Sequence, residues 1–394
     1  MSLTDSLDPW SRALSPWRQG VGSLLRLGGG SDGNELTLFV DGDDAFDAML
    51  GAIDAATMRV WLETYIFAPD ALGRDVLAAL TRAADRGVEV RLLVDDVGSP
   101  DLVPVTAALR AAGGRVVVFN PTLRLSWRRR LPLTMRDHRK ILVVDDAFGF
   151  CGGMNVSVDY GGLRRGNGTF RDTHLLVQGP AVRDLAVVFD ASWHHATGDR
   201  LALFPPAAPR PDGSHVQVLG SDRFWRRRGI QRALQHAVTG AHARIRLTAP
   251  YFVPPPRLLR ALSAAARRGV VVEVLTAGVS DVPLAAVAAR HLYGRLLESG
   301  VRIWELGGGR KLHAKTAAVD GIYAHVGSFN LDRWSFDRNL EVVAMVLDPG
   351  FSQALDRVFE DDLRSSTEVT LQAWHERSVV DVVVGWFAWQ LARL

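Results

Sequence analysis

Eighteen residues of this chain occur twice in one pattern: HRKILVVDDAFGFCGGMN from His138 to Asn155, and HAKTAAVDGIYAHVGSFN from His313 to Asn330. Both read H-x-K-x4-D-x6-G-[GS]-x-N. Such self-similarity marks a duplicated structural unit and limits the chain to folds that accept the same unit twice.

The flanking segments repeat in the same order. ALTRAADRGVEVRLLVD (79–95) matches ALSAAARRGVVVEVLTA (261–277) without gaps. Each has a helix-period run closed by a glycine, Gly87 or Gly269, then an alternating Val-rich strand, as in an α/β layer. LRAAGGRVVVF (109–119) answers LLESGVRIWEL (296–306), and TYIFAPD (64–70) answers APYFVPP (249–255). Between the halves, FPPAAPRPDGS (204–214) carries four prolines and reads as the linker. The expected organisation is an arm over 1–34, a first domain over 35–203, the linker over 204–214, a second domain over 215–350 and C-terminal helices over 351–394.

With 394 residues, 47% hydrophobic and 23% charged, the chain has the balance of a folded two-domain protein. Its single cysteine, Cys151, excludes an internal disulfide and a Cys-rich metal cluster, in keeping with a reducing compartment. The N-terminal stretch has Asp5 and Asp8 and no uninterrupted apolar run, so it reads as an amphipathic arm and not as a secretion signal or a span.

Of 46 basic residues only Lys140, Lys311 and Lys315 are lysines, and Lys140 and Lys315 occupy the same motif position. Chance placement is a poor account of that. On a strand, residues two apart share a face, so His138 with Lys140, and His313 with Lys315, can enter one pocket. Asp145 and Asp320, five residues further on, have the opposite parity.

These duplicated motifs resemble those of the phospholipase D superfamily. The segments LETYIFAPD (62–70), MRDHRK (135–140), GGMNVSVDYGG (152–162), RDTHLLVQGPAV (171–182) and TAPYFVP (248–254) look like the bacterial cardiolipin synthases within it. The resemblance covers most of the chain. It implies two tandem α/β sandwich domains related by pseudo-twofold symmetry, with one shared active site. It also implies phosphatidyl transfer through a phosphatidyl-histidine, with His138 as nucleophile and His313 as general acid.

In that scheme Lys140, Lys315, Asn155 and Asn330 hold the non-bridging phosphate oxygens. A compact ammonium suits the space between close neighbours better than a guanidinium fork. Asp172 and Glu341 are the expected acids behind the imidazoles. Asp145 and Asp320 complete the motif as loop-fixing members of the catalytic set, and Gly152, Gly153, Gly327 and Ser328 keep its turn small. No metal or other cofactor is implied, because side chains already supply every role.

The halves differ in one place that bears on substrate. From Arg115 to His138 is 23 residues, but from Arg302 to His313 is 11. The additional residues lie in FNPTLRLSWRRRLPLTMRD (119–137), where Trp127 and leucines interleave with Arg124, Arg128, Arg129 and Arg130. That mixture suits an anionic lipid interface, and equally a single nucleic-acid strand. The arm (Trp10, Trp17, Leu24, Leu25, Arg26) and the tail VVDVVVGWFAWQLARL (379–394) favour lipid, and RFWRRR (223–228) adds a second basic cluster.

The expectation is therefore a phosphatidyltransferase, peripheral on the cytoplasmic face of the cell membrane. Its partners are phosphatidylglycerol, with phosphatidylethanolamine or cardiolipin as further candidates, and the membrane surface. Trp127, Arg128, Arg129, Arg130, Tyr65 and Tyr251 are the candidate substrate or membrane contacts. No nucleic acid is expected and no protein partner can be inferred. The alternatives are a phosphodiesterase that uses water at the same histidines, and a lipid-binding scaffold, which two intact motifs disfavour.

Overall fold

A computed structural model describes residues 30–122, 134–221 and 228–391. In chain order the first half comprises β1 (Gly30–Phe39), α1 (Gly42–Ala55), β2 (Arg59–Thr64), α2 (Ala71–Asp85), β3 (Glu89–Asp95), α3 (Leu102–Val105), α4 (Ala107–Ala111), β4 (Arg115–Phe119), β5 (Ile141–Val144), β6 (Phe148–Gly152), β7 (Phe170–Arg171), β8 (His174–Gln178) and α5 (Ala181–Thr197). The second half continues with β9 (Ser214–Ser221), α6 (Arg228–Gly240), β10 (Arg244–Thr248), α7 (Pro256–Arg267), β11 (Val271–Ala277), α8 (Pro283–Leu297), β12 (Arg302–Leu306), β13 (Lys311–Leu312), β14 (Thr316–Val319), β15 (Tyr323–Gly327), α9 (Arg333–Asp337), β16 (Glu341–Leu347), α10 (Pro349–Leu363), β17 (Ser366–Val369), α11 (Leu371–His375) and α12 (Val379–Leu391).

The strand order shows the duplication directly. One half runs β4-β3-β2-β5-β6-β8-β1 and the other β12-β11-β10-β14-β15-β16-β9, with β17 added at the outer edge. In each, three parallel strands come first and antiparallel strands follow. The halves join through β1, whose first residues pair with β9 and whose last, Glu35–Phe39, pair with β8. A register shift between Ser31 and Asn34 allows the change of partner. The chain thus has the expected α/β architecture of two tandem units.

Local chemistry repeats as well. Gly87 and Gly269 adopt φ 86° and 91°, where only glycine is unstrained. The amide of Val88 donates to the Ala83 carbonyl and that of Val270 to the Ala265 carbonyl, closing both helices the same way before the strand begins.

Two cores lie on the outer helical faces, around Phe46, Leu80 and Leu92 in one half and around Leu234, Leu262 and Val274 in the other. A third joins the halves: Trp61, Phe189 and Trp193 from the first pack in one cluster with Val216, Val326 and Leu355 from the second. Arg139, buried between His138 and Lys140 in sequence, ties this seam by donating to the carbonyls of Val188, Ser221 and Glu341 and to Ser192 Oγ.

Two expected boundaries need correction. Position 34 falls inside β1, because the strand must run past it to reach β9. The cut at 350 falls at the start of α10, whose Phe351 and Leu355 are buried in the joining core, so that helix belongs to the second unit. The segment 204–213 runs between α5 and β9, with Phe204 buried near Trp61.

Candidate active site

Two short parallel crossings between the halves assemble the site. Strand β7 pairs with β13, setting Leu312 against Arg171, and Asp137 bridges to Leu340. The His313 amide donates to the Arg171 carbonyl at 2.8 Å, and the His138 amide to the Leu340 carbonyl at 2.9 Å. The next residue after each accepting carbonyl is an acid, Asp172 or Glu341. Each acid is therefore delivered to the histidine of the opposite half.

The resulting pairs are close and buried. His313 Nδ1 lies 2.7 Å from Asp172 Oδ2. His138 Nδ1 lies 3.1 Å from Glu341 Oε2 and 3.2 Å from Oε1. An acid on Nδ1 orients the ring and leaves Nε2 facing the reacting space. The acids were legible in the sequence, but their exchange between halves was not.

The His-x-Lys residues stand just before β5 and β14, outside the strands. All four side chains are buried, and each lysine also acts electrostatically on the histidine of the other half. Lys140 Nζ donates to the His138 carbonyl at 2.7 Å, and Lys315 Nζ contacts the His313 carbonyl and, at 2.9 Å, His313 Nδ1. Asn155 Oδ1 accepts from the Ile66 amide at 3.1 Å and its side chain also interacts with the Tyr160 hydroxyl, while Oδ1 of Asn330 is buried. The two buried lysine ammonium groups suit an anionic, oxygen-rich ligand.

Asp145 and Asp320 lie apart from this cluster, and the reason is geometric. Both adopt left-handed backbone, φ 50° and 54°, at the turn after β5 or β14. Asp145 accepts from the amides of Thr57, Met58 and Arg59, and Asp320 from those of His242, Ala243 and Arg244, at 2.8–3.0 Å. They act as loop anchors. Gly153 is required by space, since a Cβ there would come within 2.2 Å of Asp172.

Ser335 and Tyr160 were given no role by the sequence, and Ser328, Tyr65 and Tyr251 take up specific contacts. Ser328 Oγ and Ser335 Oγ both donate to Glu341, the latter at 2.7 Å. Tyr160, within the quoted GGMNVSVDYGG, places its hydroxyl 3.4 Å from His313 Nε2. Tyr65 sets its ring edge-on to His138, with centroids 5.1 Å apart. Tyr251 is buried with its hydroxyl 2.7 Å from Asp281, a position under the surface and not on a membrane-facing one. Trp127, Arg128, Arg129 and Arg130, the arm residues and RFWRR (223–227) lie outside the described residues, as does the side chain of Arg228.

A family model described as "Cardiolipin synthase, PLD-like domain" matches residues 49–193 and 234–363. The chain belongs to this family. A cardiolipin synthase of Geobacillus kaustophilus is 34% identical over 87% of this chain and 69% of its own length. A cardiolipin synthase 2 of Staphylococcus epidermidis is 32% identical over 88% of this chain and 72% of its own. Among solved structures, phosphatidylserine synthase of Haemophilus influenzae Rd KW20 superposes with TM-score 0.70 at 15% identity, covering 95% of this chain and 97% of that one, which establishes a common fold.

Within this cardiolipin synthase-type site, burial dominates the electrostatics. It lowers the Lys140 ammonium to about 7 and that of Lys315 to about 8. Burial, followed by the charge of the neighbouring lysine, lowers both imidazoles as well, which keeps them neutral and able to accept a proton. For Asp172 burial acts upward, but His313 and Lys315 outweigh it and hold the carboxylate ionised; His138 and Lys140 do the same for Glu341.

Proposed function

We propose that the protein is a phospholipase D-type cardiolipin synthase that moves a phosphatidyl group onto phosphatidylglycerol through a phosphatidyl-histidine. The observation that carries the reading is the convergence of two His–Lys–Asn sets, each histidine backed by the other half's acid, in a chain whose curated relatives are cardiolipin synthases.

Attack by the Nε2 lone pair of one histidine forms a P–N bond as the P–O bond to the donor's headgroup alcohol breaks. The departing oxygen takes a proton from the opposite histidine. The headgroup hydroxyl of phosphatidylglycerol then returns a proton to that second histidine while its oxygen displaces the first from phosphorus. Lys140 and Lys315 neutralise the phosphate oxygens throughout, and ligand charge favours their protonated form.

Access to lipid is read at the C-terminus. Helix α12 lays Gly385 and Ala388 against α8, where Trp389 stacks near His291, 5.1 Å between ring centroids. Its other side exposes Val379, Val380, Phe387 and Leu391 by 79, 68, 58 and 56%. One side of the helix is thus docked and the other left exposed and apolar. No described helix is long and apolar enough to cross a membrane, and contact with the cytoplasmic membrane face through this apolar side fits the reading.

The test is incubation of the purified protein with phosphatidylglycerol, with and without phosphatidylethanolamine, with products identified by mass spectrometry. Cardiolipin is expected, and none with His138→Ala. Phosphatidic acid alone would overturn transfer in favour of hydrolysis; cleaved DNA with untouched lipid would overturn the lipid reading.

A further inference from the structure

The two motif copies differ in what faces the outer nitrogen of each imidazole. Five residues after Asn155 stands Tyr160; five after Asn330 stands Ser335. Ser335 turns its hydroxyl to Glu341, behind His138. Tyr160 instead reaches the opposite half, its hydroxyl 3.4 Å from Nε2 of His313. Its ring stacks on Phe170 at 4.7 Å, and the two rings lie 5.2 and 5.3 Å from the His313 imidazole. Among the described residues, Tyr65 sets the one aromatic ring against His138, and no hydrogen-bonding group reaches its Nε2.

This asymmetry has a chemical consequence in either tautomer of His313. Asp172, 2.7 Å from Nδ1, favours a proton there, and then the lone pair on Nε2 accepts from Tyr160. Lys315, 2.9 Å from the same nitrogen, favours the other tautomer, and then Nε2 carries a proton that Tyr160 accepts. Burial and the charge of Asp172 push the Tyr160 phenol well above its ordinary value, so its hydroxyl keeps its proton. In neither case does His313 present a free lone pair. The contact is long enough for a substrate oxygen to replace the hydroxyl when a proton must move.

We propose that Tyr160 is a positioning residue that makes the paired histidines unequal: it withholds His313 from nucleophilic attack and reserves it for proton transfer, so that His138 carries the phosphatidyl group. The inference rests on the histidine-intermediate reading above. In the first step His138 Nε2 bonds to phosphorus as the donor alcohol leaves with the proton of His313 Nε2; in the second the acceptor alcohol gives its proton back to His313 as its oxygen expels His138.

Two measurements test it. Turnover of phosphatidylglycerol is quenched and the adduct mapped by peptide mass spectrometry in the wild type and in Tyr160→Phe, which keeps the stacked ring and whose folding is checked by thermal melting. The wild-type adduct is expected on His138, with the share on His313 rising about tenfold or more in Tyr160→Phe. A lipid p-nitrophenyl phosphodiester, whose leaving group needs no acid, should still give a one-equivalent burst with His313→Ala and none with His138→Ala. Adding Tyr160→Phe to His138→Ala should restore a slow burst through His313.

A wild-type adduct on His313, or an adduct confined to His138 in folded Tyr160→Phe with no burst from the double variant, overturns the inference about Tyr160. Absence of any histidine adduct and of any burst in the wild type overturns the histidine-intermediate reading itself.

Discussion

His138 and Glu341 are 203 residues apart in the chain, yet Nδ1 of one lies 3.1 Å from Oε2 of the other. The mirror pair, His313 and Asp172, spans 141 residues at 2.7 Å. Neither half contains a complete acid–histidine unit, so the duplication could be used only after the two copies had docked. Glu341→Gln and Asp172→Asn should each lower kcat by about 10²–10⁴-fold, because the ring loses its orienting acid while the fold persists. With the activated p-nitrophenyl substrate, Glu341→Gln should behave like a His138 variant and Asp172→Asn like a His313 variant. Cis behaviour would contradict the crossed pairs.

Asp145 should matter for stability and not for chemistry. Its carboxylate takes the amides of Thr57, Met58 and Arg59, none of them near the histidines. Asp145→Ala should destabilise by about 2–4 kcal/mol in urea denaturation, as expected when several charge-assisted bonds are lost. The kcat per folded molecule should stay within about twofold of wild type, the scatter expected of such measurements.

Stability and function should oppose one another at Lys140. Its folded value of about 7, and that of about 8 for Lys315, stand below the ordinary lysine value, so between these and about 10 the unfolded chain binds more protons. The cost is present in full below the folded values and is relieved as pH rises, so stability should increase across this window. Lys140→Met should raise stability at pH 6.5 by on the order of 1 kcal/mol, flatten the increase toward pH 9 and abolish synthesis. Denaturation curves at the two pH values decide this.

Substrate binding should follow the same lysines in the opposite sense. With the ammonium forms holding the phosphate in the proposed mechanism, KM for lipid should rise as pH passes from 7 to 9, starting from the depressed values of about 7 and 8. Lys315→Arg, charged throughout, should flatten that rise and lower kcat, because the guanidinium fork does not fit the space beside His313. Steady-state kinetics on a short-chain soluble substrate avoids the membrane step.

The exposed side of α12 gives a separable prediction. Val380→Asp with Phe387→Asp should weaken binding to phosphatidylglycerol vesicles about tenfold or more, since both side chains are more than half exposed and the helix docks through its other side. Turnover of a short-chain soluble substrate should not change. Unaltered vesicle sedimentation would place membrane contact elsewhere.

Much of the site was readable from residues alone because phosphoryl-transfer chemistry demands particular side chains at short, fixed spacing. His138, Lys140 and Asn155 fall within one eighteen-residue segment, as do His313, Lys315 and Asn330. The paired helix–glycine–strand units were equally local and pointed to one α/β architecture in both halves, whereas the mirrored strand order came from the structure. The motif aspartates were harder to place: strand parity separated them from the lysines, but their left-handed turn and amide partners depend on loops about 80 residues away.

By itself, then, the sequence determined that one α/β unit occurs twice and that each copy brings a histidine, a lysine and an asparagine to a common kind of pocket. Tertiary structure decided which acid serves which histidine, that Arg139 ties the seam, and that Tyr160 faces His313 while Ser335 serves Glu341. The physical reason is range. Helix and strand periods, caps and turns act over a few residues, whereas these pairings arise from two crossings, Leu312 on Arg171 and Asp137 on Leu340, that exist only once the two cores have packed together.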